Sequence, residues 1–255
     1  MGDALTTAIE AARTAGGILA AGFERPMDVA LKSPRELVTT MDRAAEDAIV
    51  RAIRDAFPGD AILAEEGSSK AGSTGRVWIV DPLDGTNNYA HGYPFFSVAI
   101  GVEEDGAPAA GVVYDPLRDE MFAAEAGGGA TLNGRPLRVS DAGALADSLV
   151  ATGFPYDRSE RTDNNLANLN RVVLAARGIR RAGSAALDLA YVARGRLDGY
   201  WELGLRPWDV AAGGLVVREA GGAVTNFGGG AWDHRRGDIV ASNGRIHAEL
   251  LSHIR

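Results

Sequence analysis

Val77-Trp78-Ile79-Val80-Asp81-Pro82-Leu83-Asp84-Gly85-Thr86-Asn87-Asn88-Tyr89 is the stretch on which the reading of this chain turns. An apolar run stops at Asp81, a Pro-to-Gly turn carries Asp84, and Thr86, Asn87 and Asn88 follow. Trp78, Ile79 and Val80 have the character of a buried strand. Asp81 then falls at the strand's carboxyl end, where open α/β sheets place their ligands. Two carboxylates three residues apart on a tight turn can reach one cation, and hard oxygen donors suit Mg²⁺ rather than zinc. A buried carboxylate needs such a partner. Asp81 to Gly85 equally suits a type I turn with Asx hydrogen bonds, so the stretch alone does not choose.

Outward from it, the spacing predicts a helix from Asp3 to about Phe23, with Leu5, Ile9, Ala12 and Leu19 near one face. A second helix is expected from a cap at Thr40 to Pro58-Gly59, and a strand over Ala61 to Glu65. After the motif come short apolar runs at Phe96 to Val102, Gly111 to Tyr114 and Met121 to Ala124, with hairpin signals at Asp105-Gly106 and Asn133-Gly134. This section reads as an antiparallel sheet. From Ser148 strand and helix alternate: a strand at Leu149 to Thr152, a helix over about Arg158 to Ala176, a strand at Ile179 to Ala182, and a helix capped by Ser184. A strand at Leu197 to Leu203, a helix opened by Pro207, strands at Val224 to Phe227 and Ile239 to Ser242, and a helix over Arg245 to Ile254 complete it. The expected fold is an α+β, layered α-β-α-β-α sandwich with mixed and antiparallel sheets. A soft boundary divides 1–145, carrying the metal motif and the large antiparallel sheet, from 146–255, which completes the active site.

With 255 residues, 46% hydrophobic and 24% charged, the composition is that of a globular protein with a sizeable core. A net charge of -8 opposes general nucleic-acid binding. It does not oppose a phosphate ester if divalent metals reverse the local sign. Absence of cysteine excludes disulfides, thiolate nucleophiles and Cys-bound metals, and fits a cytoplasmic location. No signal peptide or membrane-spanning run is visible. Met1-Gly2 with Thr6 matches a loose myristoylation pattern that arises by chance too often to carry an argument.

Four acidic sites stand out: Glu65-Glu66, the Asp81/Asp84 pair, Asp209 at a helix start, and Asp42 in Leu37-Val38-Thr39-Thr40-Met41-Asp42. Singly, each has an ordinary reading. Asp42 and Asp209 suit the positive end of a helix dipole, and Glu65-Glu66 suits a solvated strand end. His91 reads as a surface residue, and the Arg177, Arg180, Arg181, Arg194 and Arg196 cluster as strand- and helix-end charges.

Their order resembles the inositol monophosphatase family, within the lithium-sensitive, magnesium-dependent phosphatases. Trp78 to Tyr89 is similar to that family's first signature. Trp208-Asp209-Val210-Ala211-Ala212-Gly213, running to Glu219-Ala220-Gly221-Gly222, is similar to its second. Gly183 to Asp188 and Asp198 to Glu202 resemble its substrate-side segments. The likeness spans nearly the whole chain, with two departures: Leu83 for a common Ile, and Gly67 where many relatives have Ser or Thr.

The resemblance implies that Glu65, Asp81 and the Leu83 carbonyl hold one Mg²⁺, that Asp81, Asp84 and Asp209 hold a second, and that Glu65 touches a looser third. It implies that Gly85 and Thr86 amides cradle phosphate, that Thr86 and Asp42 orient or deprotonate the attacking water, and that Ala185, Glu202 and Asp84 face the inositol hydroxyls. Glu65, Thr86 and Asp42 are the expected catalytic set. The implied activity is hydrolysis of myo-inositol monophosphate, in a lithium-sensitive cytoplasmic homodimer. The same mechanism on fructose 1,6-bisphosphate, histidinol phosphate or a nucleotide 2′- or 3′-phosphate is the first alternative. A regulatory protein contacting transcription machinery is the second, and a small phosphorylated polyol is the expected ligand.

Overall fold

A computed structural model of the chain describes residues 3–254; the Met1-Gly2 pattern lies outside it. In α1 (Asp3–Gly22), Leu5, Ala8, Ala12, Ala15 and Leu19 form one buried face, as helical spacing requires. A hairpin that the sequence reading did not find follows: β1 (Val29–Ser33) against β2 (Glu36–Thr39), antiparallel. Next comes α2 (Thr40–Ala56). Its cap is Thr39, not Thr40. The Thr39 hydroxyl accepts from the amides of Met41 and Asp42, and the Asp42 carboxylate accepts from the Thr39 amide at 2.8 Å, a reciprocal capping box.

β3 (Ala61–Ala64) pairs in parallel with β4 (Arg76–Asp84), which pairs antiparallel with β5 (Ser97–Glu104). The motif is therefore not a strand followed by a tight turn. Asp81 and Asp84 both belong to β4, and a bulge lies between them: Asp81 faces Ala99 while Asp84 faces Ser97. In a regular strand, residues three apart point to opposite faces. The one extra residue reverses that parity and lets both carboxylates reach one side.

A short helix α3 (Thr86–Ala90) follows the bulge. Then β6 (Ala107–Asp115), β7 (Glu120–Glu125), β8 (Gly129–Leu132) and β9 (Arg135–Pro136) complete a seven-stranded sheet in the order β3-β4-β5-β6-β7-β8-β9. Its hairpins turn where expected. Asp105-Gly106 and Asn133-Gly134 hold φ values of 49°, 86°, 50° and 75°, as two-residue turns matched to strand twist demand.

The second sheet has the order β11-β10-β12-β14-β13. Its elements are β10 (Leu149–Thr152), α4 (Leu166–Ala175), β11 (Gly178–Arg180), α5 (Ala185–Ala193), β12 (Gly199–Leu203), α6 (Pro207–Glu219), β13 (Ala223–Thr225), β14 (Asp238–Ser242) and α7 (His247–Ser252). The helix expected from about residue 158 begins only at Leu166. Asn165 stops it from extending: its φ is 69°, and its buried amide donates to the Thr152 hydroxyl at 2.9 Å and the Gly153 carbonyl at 2.7 Å. Residues 153–165 are thereby held as a loop.

The layers follow from strand alternation. Val98, Ile100 and Val102 of β5 pack toward α1 and α2, while Ala99 packs toward α5 and α6. In the second sheet Ala151, Tyr200, Ile239 and Ala241 share the α5/α6 core, and Val150, Trp201 and Val240 pack against α4 and α7. The result is α1/α2, sheet, α5/α6, sheet, α4/α7: the layered α-β-α-β-α order, with one mixed and one largely antiparallel sheet. α6 lies close on the first sheet because Gly111 offers no side chain; a Cβ there would fall 2.8 Å from the Ala212 carbonyl oxygen. No described helix is long and apolar enough to cross a membrane.

Candidate active site

A cavity of about 1010 Å³ opens where the bulge of β4, the N-termini of α3, α5 and α6, the end of β12 and the β1–β2 hairpin converge. Glu65, Asp81, Leu83, Asp84, Gly85, Thr86, Ala185, Glu202 and Asp209 all line it. Asp42 does not. It is buried behind Thr86, whose hydroxyl lies 2.9 Å from Asp42 Oδ1 and 3.0 Å from the Leu83 carbonyl oxygen. Asp42 Oδ2 is taken by the amide and hydroxyl of Thr39, at 2.8 and 2.6 Å. The capping box of α2 thus fixes the carboxylate that holds Thr86.

Burial raises the proton affinity of all four acidic residues at the centre. Burial pushes Asp81 well above the usual carboxyl range, and the charges of Glu65, Asp84 and Asp209 push it further. Its Oδ1 accepts the Leu83 amide at 3.0 Å. Burial raises Asp84 to about 6, against hydrogen bonds from the Ser184 hydroxyl and, at 2.8 Å, the Ala186 amide. Burial raises Asp209 strongly as well, opposed by the Arg206 amide at 2.6 Å. Glu65 is raised by burial and relieved by Lys32. Buried oxygens that repel one another bind a small, hard cation well, because such an ion offsets both desolvation and repulsion.

Lys32 supplies part of that charge. From β1 its ammonium reaches Glu65 Oε1 at 2.9 Å and also Glu66 Oε1. As the side chains stand, no three acidic or imidazole groups among the described residues are drawn around one ion-sized point. The donor set itself, carboxylates plus the Leu83 carbonyl, is all oxygen and fits Mg²⁺ rather than a soft metal.

At the far side of the cavity stands Glu202, raised to about 7, chiefly by burial. The Tyr200 hydroxyl donates to its Oε2. Gly153 makes room for it, since a Cβ there would fall 2.0 Å from that same oxygen.

Three cavity residues were not singled out from the sequence, Lys32, Gly153 and Tyr156, and Asp188 was read only as the end of the Gly183 to Asp188 segment. Lys32 had a readable signal, the Ser33-Pro34-Arg35 turn between two short apolar runs. Arg181, read as a strand-end charge, also lines the cavity. Two others of its cluster fit the ordinary reading: Arg177 pairs with Asp147 and Arg196 with Glu120. His91 is exposed, with Nδ1 2.8 Å from the Asn87 carbonyl oxygen, and does not line the cavity.

Comparison with known proteins agrees with this architecture. Residues 2–255 match the model of the inositol monophosphatase family. The Nus factor SuhB of Pasteurella multocida is 44% identical, over 100% of this chain and 96% of that protein. The structure of inositol monophosphatase from Anabaena (Nostoc) sp. PCC 7120 superposes with a TM-score of 0.89 at 46% identity, covering 98% of this chain and 94% of the other. The extragenic suppressor protein suhB from Bartonella henselae superposes with a TM-score of 0.94 at 43% identity, covering 99% and 98%.

Proposed function

The chain belongs to the inositol monophosphatase family, and from that premise we propose that it is a Mg²⁺-dependent phosphomonoesterase acting on myo-inositol monophosphate. The observation that carries this reading is the β4 bulge. It turns Asp81 and Asp84 into one cavity with Glu65 and Asp209, in front of the Thr86–Asp42 pair.

Glu65, Asp81 and the Leu83 carbonyl would hold one Mg²⁺, and Asp81, Asp84 and Asp209 a second, with Glu65 serving a looser third. The Leu83 carbonyl oxygen lies 3.0 Å from the Thr86 hydroxyl, whose single proton is shared with Asp42, so it has a lone pair to offer. When bound, the metals supply neutralisation of the phosphoryl oxygens, an acidified water and a stabilised leaving alkoxide. The chain's residues do the rest. The Thr86 hydroxyl, fixed by Asp42, orients the attacking water, and Asp42 accepts its proton through that hydroxyl. Gly85 and Thr86 amides, at the start of α3, receive phosphate oxygens. Ala185, Glu202 and Asp84 face the hydroxyls of the alcohol. Phosphate monoester hydrolysis is among the slowest uncatalysed reactions, so preorganised charge of this kind is what acceleration requires.

The test is a panel of esters with and without Mg²⁺: inositol 1-phosphate, fructose 1,6-bisphosphate, histidinol phosphate and nucleotide 2′- and 3′-phosphates. Fastest release from inositol 1-phosphate is expected. Faster release from another ester reassigns the substrate, and no Mg²⁺-dependent release from any of them removes the phosphatase reading.

A second reading rests on the name Nus factor carried by a relative. It assigns this chain a contact with transcription machinery, alongside or instead of turnover, in a cytoplasmic homodimer. Co-purification with RNA polymerase or its factors that survives Asp81→Asn supports it. Sedimentation reads the dimer, and an assay with LiCl reads lithium sensitivity.

A further inference from the structure

Asp188, in the first turns of α5, is 2% exposed and lines the cavity. Every other buried acid among the described residues has a hydrogen-bond donor. Asp42 has Thr39 and Thr86, Glu46 the amides of Glu66 and Ser68, Asp60 the Trp78 indole, and Asp81 the Leu83 amide. Asp84 has Ser184 and Ala186, Glu103 has Arg235, and Asp115 the amides of Leu117 and Arg118. No donor among the described residues reaches the Asp188 carboxylate, and no ion pair forms on it. Burial first, and then the charges of Glu202 and Asp84, hold its proton affinity well above the usual carboxyl range, with Arg181 opposing them.

Such a group is expensive to bury. Where a core residue leaves an acceptor unused, the fold loses; where the acceptor faces a cavity, a ligand can complete it. The proposed metals belong to the Glu65/Asp81/Asp84/Asp209 side, whereas Asp188 stands with Glu202 and Tyr200 on the side given to the alcohol. A carboxyl oxygen accepts a hydrogen bond whether the group is ionised or protonated, and the protonated group also donates one, as a hydroxyl can do in return. Its natural complement is therefore a hydroxyl.

We infer that Asp188 is a specificity-determining carboxylate that accepts a hydrogen bond from a hydroxyl of the leaving alcohol, beside the one received by Glu202, so that the pair reads two neighbouring hydroxyls of a polyol. This rests on the phosphomonoesterase reading and adds a contact that reading does not contain. A site built to bond a hydroxyl rejects analogues that lack it, because its own buried groups are then left unpaired.

The experiment compares wild type, Asp188→Ala and the near-isosteric Asp188→Asn at saturating Mg²⁺. Substrates are inositol 1-phosphate and p-nitrophenyl phosphate, which has no hydroxyl to offer. In Asp188→Ala, kcat/KM should fall for the inositol ester more than for p-nitrophenyl phosphate, by roughly tenfold to a hundredfold, the range expected when a covered hydroxyl is left unpaired. Titration of free inositol into the Mg²⁺-loaded proteins reads the same contact without turnover, and Asp188→Ala should bind it more weakly. Equal losses on both esters, or no loss on either, overturns the assignment. If wild type cleaves neither ester, the phosphatase reading fails by itself, and inositol binding still decides the role of Asp188.

Discussion

The Thr86 hydroxyl lies 2.9 Å from Asp42 Oδ1, across 44 positions of sequence. Asp42 is at once the acid of a helix-capping box and the anchor of a hydroxyl that opens onto the cavity. Thr86→Ala should therefore lower kcat by roughly 10²- to 10⁴-fold, the usual worth of positioned proton transfer, with little change in Tm. Asp42→Ala should lower kcat similarly and also cost about 1 kcal/mol of stability through the lost cap. Steady-state kinetics and thermal melts separate the two. A Thr86→Ala enzyme with wild-type kcat would falsify the role given to the pair.

The carboxylates make stability depend on pH in a definite direction. Asp84 rises from 3.8 to about 6 and Glu202 from 4.5 to about 7 in the fold. Raised acids favour folding while they are protonated. Their contribution is complete below about pH 4 and is lost as pH climbs through 6 to 7. Of the two, Asp84 belongs to the proposed metal set, and it must be deprotonated to hold a metal. The rise in Tm on adding Mg²⁺ to chelator-treated protein should accordingly be larger at pH 8 than at pH 5.5. Melts at the two pH values decide it, and an equal or reversed difference counts against metal binding by Asp84.

Lys32 competes for the oxygens that a cation would use. With its side chain 22% exposed and Glu65 Oε1 at 2.9 Å, it is a weakly screened internal counter-ion. Lys32→Met should tighten Mg²⁺ binding, by an amount on the order of tenfold if the contact is worth about one pKa unit. Calorimetric titration of metal into the variant provides the check; weaker binding would mean that Lys32 assists the metal instead.

Gly153 touches nothing catalytic, yet its missing side chain leaves the space that Glu202 fills. A Cβ there would lie 2.0 Å from Glu202 Oε2. Gly153→Ala should displace Glu202 and raise KM for inositol 1-phosphate by roughly tenfold or more, the cost of a lost charged hydrogen bond, while Mg²⁺ affinity stays near wild type. Unaltered KM in a folded variant would show that Glu202 does not contact the alcohol.

Much of this could be read in the chain itself. The hairpins at Asp105-Gly106 and Asn133-Gly134, the Ser184 cap, the Pro207 helix start and the strand at Leu149 to Thr152 are local signals, settled by backbone geometry within a few residues. Other elements went unread because their causes are distant. The β1–β2 hairpin is too short to show a period. The late start of α4 depends on Asn165 being held by Thr152 and Gly153, and no local propensity encodes that.

The sequence by itself determined the layered fold and the order of the acidic segments, because hydrophobic periodicity, turn chemistry and long motifs are written in neighbouring residues. Only the tertiary structure decided how those acids meet. The β4 bulge, visible only against β5, overturns the period-two rule and puts Asp81 and Asp84 on one side. The meeting of the starts of α2 and α3 makes Asp42 the anchor of Thr86, and the close approach of Gly153 to Glu202 sets where that carboxyl stands. Asp188 needed the whole fold most of all. A buried acid without a donor can be recognised only when every neighbour that might have supplied one has been placed.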